Sequence, residues 1–480
     1  MGKINTWLEK KLAVGALGNP RPLPATLPVI VEIEPGASSA QVATLLRRQG
    51  LRVEAVLPTF IKLRAPVDAL DRLAELEGVR RVSYDAPVSL GSAPFHFDPL
   101  LGRIQLPAVE VPYSPSEMAL SMNLLTTPIQ LLASLATLRV PRVQKADVII
   151  IPTGDLAPLM GVPEGDRNIS TVVAVLDTGL TVPHPLIQPS KGLVQLYSTT
   201  GEFPWDGLGH GTHVTTTAFG DSFPTRFGLC RGVSNPTGGK LISIKCLSNV
   251  GFGATFSILK ALDLARDRGA RVVNMSLGSE LQGSVDEDPL CRAIELLKDE
   301  MIVVVAAGNS GPGDWTIGSP GASPFALTVG AWSPYYRGLA IFSSRGPSGA
   351  YYKDHHDTFI SDYNVYGDNL VKPDCLAPGG GPVKEGDPMD LSYSGVTGWT
   401  DGMYDLLVDG FEGMRGTSMA SPMAAGLIAW AYDRGLVRTA ADVKRKLAIS
   451  PDPMGGSNGA NAVAKSPQTG YGFITLGRLT

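Results

Sequence analysis

Short apolar runs alternate with segments of helical periodicity along much of this 480-residue chain. Five of the runs are rich in β-branched residues, namely TVVAVL, KLISIKCL, ARVVNMSL, MIVVVAAG and FALTVGA, and are typical of buried parallel strands. The intervening segments ATFSILKALDLARDRG and PLCRAIELLKDE have the length of helices that connect parallel strands. This order predicts a doubly wound, mostly parallel α/β domain over residues 169–480.

A different order of elements precedes that domain. Residues 25–88 read as strand, helix, strand, strand, helix and strand, which is the split β-α-β pattern of ferredoxin-like units. Its two helices are ASSAQVATLLRRQG and VDALDRLAELEG, and its closing strand is VRRVSYDAPV. We therefore predict a small α+β domain over residues 25–88.

Residues 89–168 are rich in proline and lack a sustained period, which predicts a linker or an extension that wraps the next domain. A helix near residues 116–138 and an apolar run at residues 148–152 are the exceptions. The long uncharged stretch from Met118 to Leu138 is interrupted by a proline and several polar residues. A buried helix or loop is therefore favoured there over a transmembrane span.

Composition narrows the class of protein further. The 41 basic and 45 acidic side chains give a net charge of −4, which argues against a nucleic-acid partner. The 55 glycines and 38 prolines indicate many turns and loops. The four cysteines suit neither a disulfide scaffold nor a zinc site and are expected as buried free thiols, with a Cys230–Cys246 bridge left open. Charged residues near the N-terminus break the apolar core that a secretion signal needs.

Three short motifs carry candidate chemistry, each at the end of a predicted element. VVAVLDTG ends a strand at Asp177, GHGTHV opens a helix at His210, and GTSMASP opens another helix at Ser418. A nucleophilic serine needs a base to take its proton and an acid that orients the base, and these residues supply the three types. One such motif alone is usually a turn or a helix cap, but together, in this order, they predict serine catalysis.

The order of the motifs resembles that of the subtilisin-like serine proteases, or subtilases, a family known as peptidase S8. Asn309 in VVAAGNSG matches the family asparagine that forms an oxyanion hole together with the backbone N–H of the serine. FSSRGP and VKPDCLAPG are further family landmarks, so the resemblance covers about residues 170–432. It also implies substrate contacts for the following residues: Gly251, Phe252, Gly253, Ser276, Leu277, Gly278, Ala307 and Gly308.

The resemblance implies a serine endopeptidase that acts on polypeptides through an acyl-enzyme, with no cofactor required for the chemistry. His210 is the expected general base, Asp177 holds its ring, and His213 in the same motif is disfavoured as the base. Structural calcium is frequent in the family, but no complete ligand set can be assigned, so the identity of any metal ligands stays unknown. Two clusters of possible metal ligands are therefore interpreted as parts of solvated loops. The first cluster is Asp354, His355, His356 and Asp357, and the second is Asp401, Asp405 and Asp409.

The unit at residues 25–88 is similar to the inhibitor-type prosegments of subtilases, which assist folding and are cut off by the enzyme itself. This similarity implies a zymogen with its own prosegment as intramolecular inhibitor, whose tail lies in the cleft and is cut between Tyr84 and Asp98. A prosegment favours secretion, whereas the absence of a visible signal keeps a cytoplasmic location open. Insertions near residues 348–370 and 380–413 depart from the family pattern.

Two alternatives use the same residues differently. The sequence from Gly416 to Ala420 nearly fits the G-x-S-x-G motif of α/β-hydrolase esterases, but that fold has the chain order Ser, Asp, His. The other alternative is a structural or binding protein on a subtilase scaffold whose cleft stays blocked by its prosegment. For the protease, the resemblance implies a roomy pocket walled by Gly308 and the backbone near Leu277, which favours large apolar or aromatic residues before the cleaved bond, and side chains of residues 310–325 decide the preference.

Overall fold

The structure is a computed structural model. It describes residues 3–6, 8–9, 25–90, 96–98, 103–105, 148–188, 191–192, 194–396, 409–453 and 464–480. The strands are β1 Thr26–Ile33, β2 Arg52–Val56, β3 Phe60–Pro66, β4 Val79–Tyr84, β5 Pro87–Ser89, β6 His96–Asp98, β7 Arg103–Gln105, β8 Val148–Pro152, β9 Asn168–Ile169, β10 Val173–Asp177, β11 Gln195–Ser198, β12 Phe223–Thr225, β13 Gly228–Cys230, β14 Asn235–Pro236, β15 Leu241–Lys245, β16 Phe252–Ala254, β17 Val272–Met275, β18 Ile302–Ala306, β19 Leu327–Ser333, β20 Gly338–Leu339, β21 Cys375–Pro378, β22 Met389–Gly395 and β23 Phe411–Met414. The α-helices are α1 Ser39–Arg48, α2 Leu70–Glu75, α3 Thr153–Leu156, α4 His210–Phe219, α5 Thr255–Asp267, α6 Pro289–Leu297, α7 Ala350–Asp354, α8 His356–Tyr366, α9 Thr417–Asp433 and α10 Ala440–Ile449.

The N-terminal unit has the predicted order of elements. Its antiparallel sheet runs β2-β3-β1-β4, with α1 and α2 in the two connections. Ser38 caps α1 by accepting a hydrogen bond from the Gln41 backbone N–H, which is otherwise unpaired in a first turn. The closing strand differs from the prediction, because it is interrupted after Tyr84 and resumes as β5, which pairs with a strand of the next domain.

The predicted doubly wound sheet is confirmed. Strands β11, β15, β10, β17, β18 and β19 are parallel neighbours in that order, β21 pairs parallel with β19, and β20 adds an antiparallel edge. Alternate residues of the central strands enter two cores, one shared with α4, α9 and α10 and the other with α5 and α6. Because helices cover both faces, the central strands are buried along their whole length and are largely apolar, as the sequence pattern indicated.

The N-terminal unit packs on the face that carries α5 and α6. Ile30, Phe60 and Val88 belong to the same buried cluster as the apolar residues of these two helices. Glu32 of β1 accepts a hydrogen bond from Arg292 of α6, with 3.3 Å between Oε1 and Nε. The contact between the two units is therefore largely a hydrophobic core with polar pairs beside it.

Both insertions contain regular structure. The first forms α7, α8 and a 3-10 turn at Gly367–Leu370, so the loop predicted around Asp354 to Asp357 is wrong. The second contributes β22 and β23, and β22 pairs in parallel with β8. The apolar run at residues 148–152 is thus an edge of this small sheet, while the helix predicted near residues 116–138 lies outside the described residues.

Three further predictions concern single segments. The four cysteines are buried and free, as expected. The apolar segment GYGFITLGRL near the C-terminus predicts a closing hairpin or edge strand, but no strand forms there. The segment makes single bridges from Gly470 to Ser466 and from Phe473 to Leu376, followed by a 3-10 turn at Leu476–Arg478. Among the described residues, no helix combines the length and the apolar character needed to cross a lipid bilayer.

Candidate active site

The candidate residues meet at one edge of the parallel sheet. Asp177 is the last residue of β10, Ser276 directly follows β17, and Asn309 comes shortly after β18. Because these strands are parallel neighbours, their carboxyl ends lie side by side, which is where ligands bind in doubly wound sheets. The helices that begin at His210 and Thr417 pack against each other on one face of this sheet.

Asp177 and His210 are in direct contact. The carboxylate Oδ1 of Asp177 lies 2.7 Å from His210 Nδ1 and also accepts a hydrogen bond from the Thr178 backbone N–H. His210 is the first residue of α4, and Gly209 before it has φ +107°, a left-handed conformation that favours glycine. With the proton on Nδ1 facing the carboxylate, the neutral ring has its Nε2 lone pair free to accept another proton.

Asp206 holds this pair in place, although the sequence analysis did not single it out. Its Oδ1 accepts hydrogen bonds from Gly209 N at 2.7 Å and from Thr178 Oγ1 at 2.8 Å, and its Oδ2 accepts one from Thr212 N at 2.6 Å. The side chain therefore links the end of β10 to the first turn of α4. An acidic residue shortly before a helix start was the available sequence signal.

The pKa values of the two histidines of the motif are shifted in opposite directions. For His210, burial alone lowers the pKa, but the Asp177 carboxylate and, more weakly, Asp206 outweigh it, so the pKa is raised above 6.5. For His213, burial lowers the pKa to about 3, and its Nε2 lies 3.0 Å from the Ser392 carbonyl oxygen. His213 is therefore neutral and buried, and it is His210 that contacts Asp177.

Ser418 is the second residue of α9 and is only 4% exposed. Its Oγ lies 3.4 Å from the carbonyl oxygen of Ser276, and the Ser276 hydroxyl donates to the Ser418 carbonyl at 3.0 Å. That carbonyl would normally accept from the N–H four residues later, but Pro422 occupies the position and has no N–H. Because of the proline, the Ser418 carbonyl oxygen has no partner at the usual position within the helix and instead accepts the Ser276 hydroxyl. This hydrogen bond joins the end of β17 to α9 beside Ser418.

Asn309 is fixed by its amide oxygen. Its Oδ1 accepts hydrogen bonds from the Thr417 backbone N–H at 2.9 Å and from Thr417 Oγ1 at 3.0 Å. A backbone N–H can only donate, so the partner atom must be the amide oxygen, and the Nδ2 hydrogens remain for another acceptor. The backbone N–H groups of the first turn of α9 lie next to this amide, which is the arrangement that stabilises an oxyanion.

Two predicted substrate-binding segments flank residues of the N-terminal unit. Strand β16, with Phe252 and Gly253, pairs antiparallel with β5. On the other side, the backbone of Ser89 is bonded twice to Gly278, with N–O distances of 3.0 and 2.8 Å. A Cβ built on Gly251 would come within 3.0 Å of Leu90, so the glycine permits this close approach. Residues 87–89 therefore lie between the two segments as an extended strand.

The remaining predicted substrate residues line the edge of the sheet beside Asn309. Ala307 is buried and its N–H donates to the Val329 carbonyl, which extends the pairing of β18 with β19. Gly308 has φ +103°, and a Cβ there would approach Ser344 Oγ to 2.8 Å. Leu277 is buried in the same core as α5 and α6, so only its backbone is available to the cleft.

A metal site is not formed by the described residues, which contain no group of three or more His, Cys, Asp or Glu side chains placed to hold an ion. His355 stacks on the ring of Tyr351, and its Nδ1 lies 2.8 Å from the Tyr351 carbonyl oxygen. Asp409 accepts a hydrogen bond from the Phe411 backbone N–H, whereas Asp401 and Asp405 lie outside the described residues. Structural calcium stays a prediction.

The parallel sheet and the residues at its edge define a protein of the subtilisin-like α/β class. A model of the subtilase family, peptidase S8, matches residues 168–458, which is more than half of the chain, and the chain belongs to this family.

Individual relatives agree with this assignment. Serine protease AprX of Bacillus subtilis is 33% identical over 301 residues, which cover 58% of this chain and 61% of that protein. Pyrolysin of Pyrococcus furiosus is 30% identical over 308 residues, which cover 56% of this chain and 20% of pyrolysin. The chain thus spans less than two thirds of the length of either relative.

A solved structure shows the same fold. Fervidolysin from Fervidobacterium pennivorans, described as a keratinolytic enzyme related to subtilisin, is similar with a TM-score of 0.60 at 18% identity. The match covers 96% of this chain and 62% of fervidolysin. The subtilisin-like α/β fold is therefore confirmed, while the domain boundaries at residues 25–88, 89–168 and 169–480 stay predictions.

Proposed function

We propose that this subtilase is a serine endopeptidase, made as a zymogen that cuts off its own N-terminal unit. The observation that carries the proposal is the position of residues 87–89 as an extended strand between the segments at residues 251–253 and 276–278. A peptide held in this way, beside the Asp177–His210 pair and Ser418, has the form of a bound substrate or inhibitor.

The chemistry follows from the types of group. His210 Nε2 takes the proton of Ser418 Oγ, and the oxygen attacks the carbonyl carbon of the peptide bond. The oxyanion that forms is stabilised by Asn309 Nδ2 and the Ser418 backbone N–H. His210 then gives the proton to the departing amine, which leaves an acyl-enzyme, and water repeats the sequence to release the acid. Asp177 holds the imidazole in its orientation, so the chain supplies every catalytic group and water supplies the second nucleophile.

The N-terminal unit has the contacts expected of an intramolecular inhibitor. Asp85 Oδ1 accepts a hydrogen bond from the Phe256 backbone N–H at 2.8 Å, and the Ala86 carbonyl accepts one from Thr255 N at 2.8 Å. Helix α5 has no side-chain cap of its own at Ala254, so Asp85 supplies the cap from the other unit. Together with the shared core, this cap supports tight binding of the N-terminal unit to the catalytic domain.

The pairing of Ser89 with Gly278 predicts which peptide bond is cut. In an antiparallel pair, two residues forward on one strand correspond to two residues back on the other. From the pair Ser89 and Gly278, this step leads to position 91 in the sequence and to Ser276, whose carbonyl is 3.4 Å from Ser418 Oγ. We therefore expect cleavage of the bond between Gly91 and Ser92, two residues that lie outside the described ones. Gly91 has no side chain to bind in the pocket for the residue before the cleaved bond. A peptide bond that belongs to the same chain is already held next to Ser418, so its cleavage does not need the affinity of that side chain.

A binding or structural role with a permanently blocked cleft is the second candidate. The occupied cleft favours it, since β5 covers both segments that would bind an external peptide. This candidate predicts that the N-terminal unit is never removed and that no external protein is cut.

One comparison separates these functions. Wild-type protein, the Ser418→Ala variant and a Ser361→Ala control on the exposed surface of α8 are incubated with casein and, separately, with a fluorophosphonate that labels activated serines. The protease predicts casein fragments and labelling for wild type and the control, and neither for Ser418→Ala. Casein left intact by all three proteins, without labelling at Ser418, would overturn the proposal in favour of the blocked scaffold.

A further inference from the structure

A short segment at the start of the chain joins the two units at a place away from the cleft. This segment, residues 3–6 and 8–9, is called the N-terminal arm here. Its Ile4 pairs in parallel with Val82 of β4, and Asn5 N donates to the Val82 carbonyl at 2.9 Å. The arm therefore extends the antiparallel sheet of the N-terminal unit at its β4 edge, and Ile4 and Leu8 belong to the core of that unit.

The other side of the arm contacts the catalytic domain. Asn5 is 0% exposed, and its Nδ2 donates to the carbonyl oxygens of Gln282 at 2.6 Å and Glu287 at 3.0 Å. The Asn5 Oδ1 accepts a hydrogen bond from the Leu8 backbone N–H. Both amide hydrogens and the amide oxygen thus have partners, as a buried amide requires. Thr6 Oγ1 adds a hydrogen bond of 2.5 Å to Glu287 Oε2.

The insertion at residues 348–370 supports the loop that receives the arm. Tyr352 Oη accepts a hydrogen bond from Val285 N at 2.9 Å, and Tyr366 Oη donates to Asp286 Oδ1 at 2.5 Å. Tyr351 Oη lies 3.2 Å from Thr6 Oγ1 and so touches the arm itself. We name loop 281–288 together with Tyr351 the arm site.

We infer that the arm site is a second anchor that retains the N-terminal unit after its self-cleavage, and this inference depends on the proposed function. After the cut, the cleft contact of β5 is a short strand whose end is free. The arm remains covalently part of the same unit, so it adds a further contact to the cleft strand, the shared core and the Asp85 cap, and each contact raises the local concentration of the others. The anchor delays release of the N-terminal unit and hence the appearance of activity.

The test uses full-length chains that process themselves. Wild type, Asn5→Ala, Thr6→Val and a Gln41→Ala control on the exposed side of α1 are allowed to cleave. Size-exclusion chromatography then shows whether the N-terminal fragment elutes with the catalytic fragment, and casein hydrolysis gives the lag before activity. We expect equal cleavage in all four, a lag shortened about tenfold with early loss of the fragment in Asn5→Ala, a smaller effect in Thr6→Val, and no change in Gln41→Ala.

A second measurement is independent of cleavage. In chains that carry Ser418→Ala and stay whole, hydrogen exchange of the backbone amides of residues 281–288 is compared with and without Asn5→Ala. The anchor predicts faster exchange of this loop when Asn5 is replaced and unchanged exchange of α10. If Asn5→Ala changes neither the lag nor the hydrogen exchange of residues 281–288, the anchor is overturned. Absence of cleavage in the wild-type chain would instead contradict the proposed function, and the exchange result alone would then decide whether the anchor exists.

Discussion

His210 determines how activity depends on pH. The Asp177 carboxylate raises its pKa above 6.5 in spite of burial, and the protonated imidazole cannot accept the Ser418 proton. We therefore expect kcat/KM of the processed enzyme to be lost as the pH falls through this raised pKa and to be full above it. A pH profile with a peptide substrate checks this, and half-maximal activity clearly below pH 6.5 would contradict it.

Asn309 is expected to act mainly in the transition state. Replacement by alanine removes an oxyanion donor and should lower kcat by about 10²–10³ with little change in KM. The matched control is Thr417→Val, which removes one of two hydrogen bonds to Asn309 Oδ1 but keeps the backbone donor. Its effect should be much smaller. Equal kcat values for wild type and Asn309→Ala would contradict the assignment.

At the residue scale, the motif residues could be predicted because their chemistry is local to the sequence. Asp177, His210 and Ser418 each lie at an element end, and a glycine with positive φ caps each of the two helices, directly before His210 and two residues before Ser418. For Asp206 the sequence signal was its place shortly before the start of α4. Asp85 could not be predicted, because the helix start that it caps is far away in the sequence and nothing beside Asp85 carries that information.

At the level of elements, the pattern of apolar residues in the closing strand of the N-terminal unit did not reveal the interruption after Tyr84. Val82, Tyr84, Ala86 and Val88 are all buried, so the alternation of apolar residues continues through the interruption. The first half faces its own sheet, and the second half faces the catalytic domain. Because both halves pair as β-strands, apolar side chains recur at every second residue in each half, and the sequence predicted one strand where the structure has two.

The cap that Asp85 provides for α5 can be measured directly. In whole chains carrying Ser418→Ala, an additional Asp85→Ala change should lower the free energy of unfolding by about 1 kcal/mol, the usual value of a helix cap. Asp85 also pairs with Lys62 at 2.8 Å, so Lys62→Met serves as the variant that removes the ion pair but keeps the cap. Urea unfolding compares them. A loss for Asp85→Ala no larger than that for Lys62→Met would show that the cap contributes nothing.

Helices α7 and α8 were missed for a related reason. No residue of α8 is fully buried, so the segment lacks the apolar stripe by which an amphipathic helix is recognised. Its contacts are aromatic edges, with Phe359 against Trp315 and against Tyr352. The contact with Trp315 depends on a residue far away in the sequence, which the local pattern around α8 does not show.

On the scale of the whole molecule, the parallel sheet was predictable, whereas the surface on which the N-terminal unit packs against α5 and α6 was not. Continuous β-branched runs indicate strands buried on both faces, and the chain carries five of them. The surface between the N-terminal unit and α5 and α6 is built from residues such as Ile30 and Phe60, which resemble ordinary core residues. A core residue and a residue at a domain contact have the same signature in sequence.

Self-cleavage in the cleft that β5 fills can be followed by intact mass spectrometry of freshly folded wild type and Ser418→Ala over time. We expect wild type to separate into two fragments, the larger of which begins at Ser92, and Ser418→Ala to keep its full mass. A wild-type chain that retains its full mass while it hydrolyses casein, or a cut outside residues 84–98, would show that this cleavage does not take place.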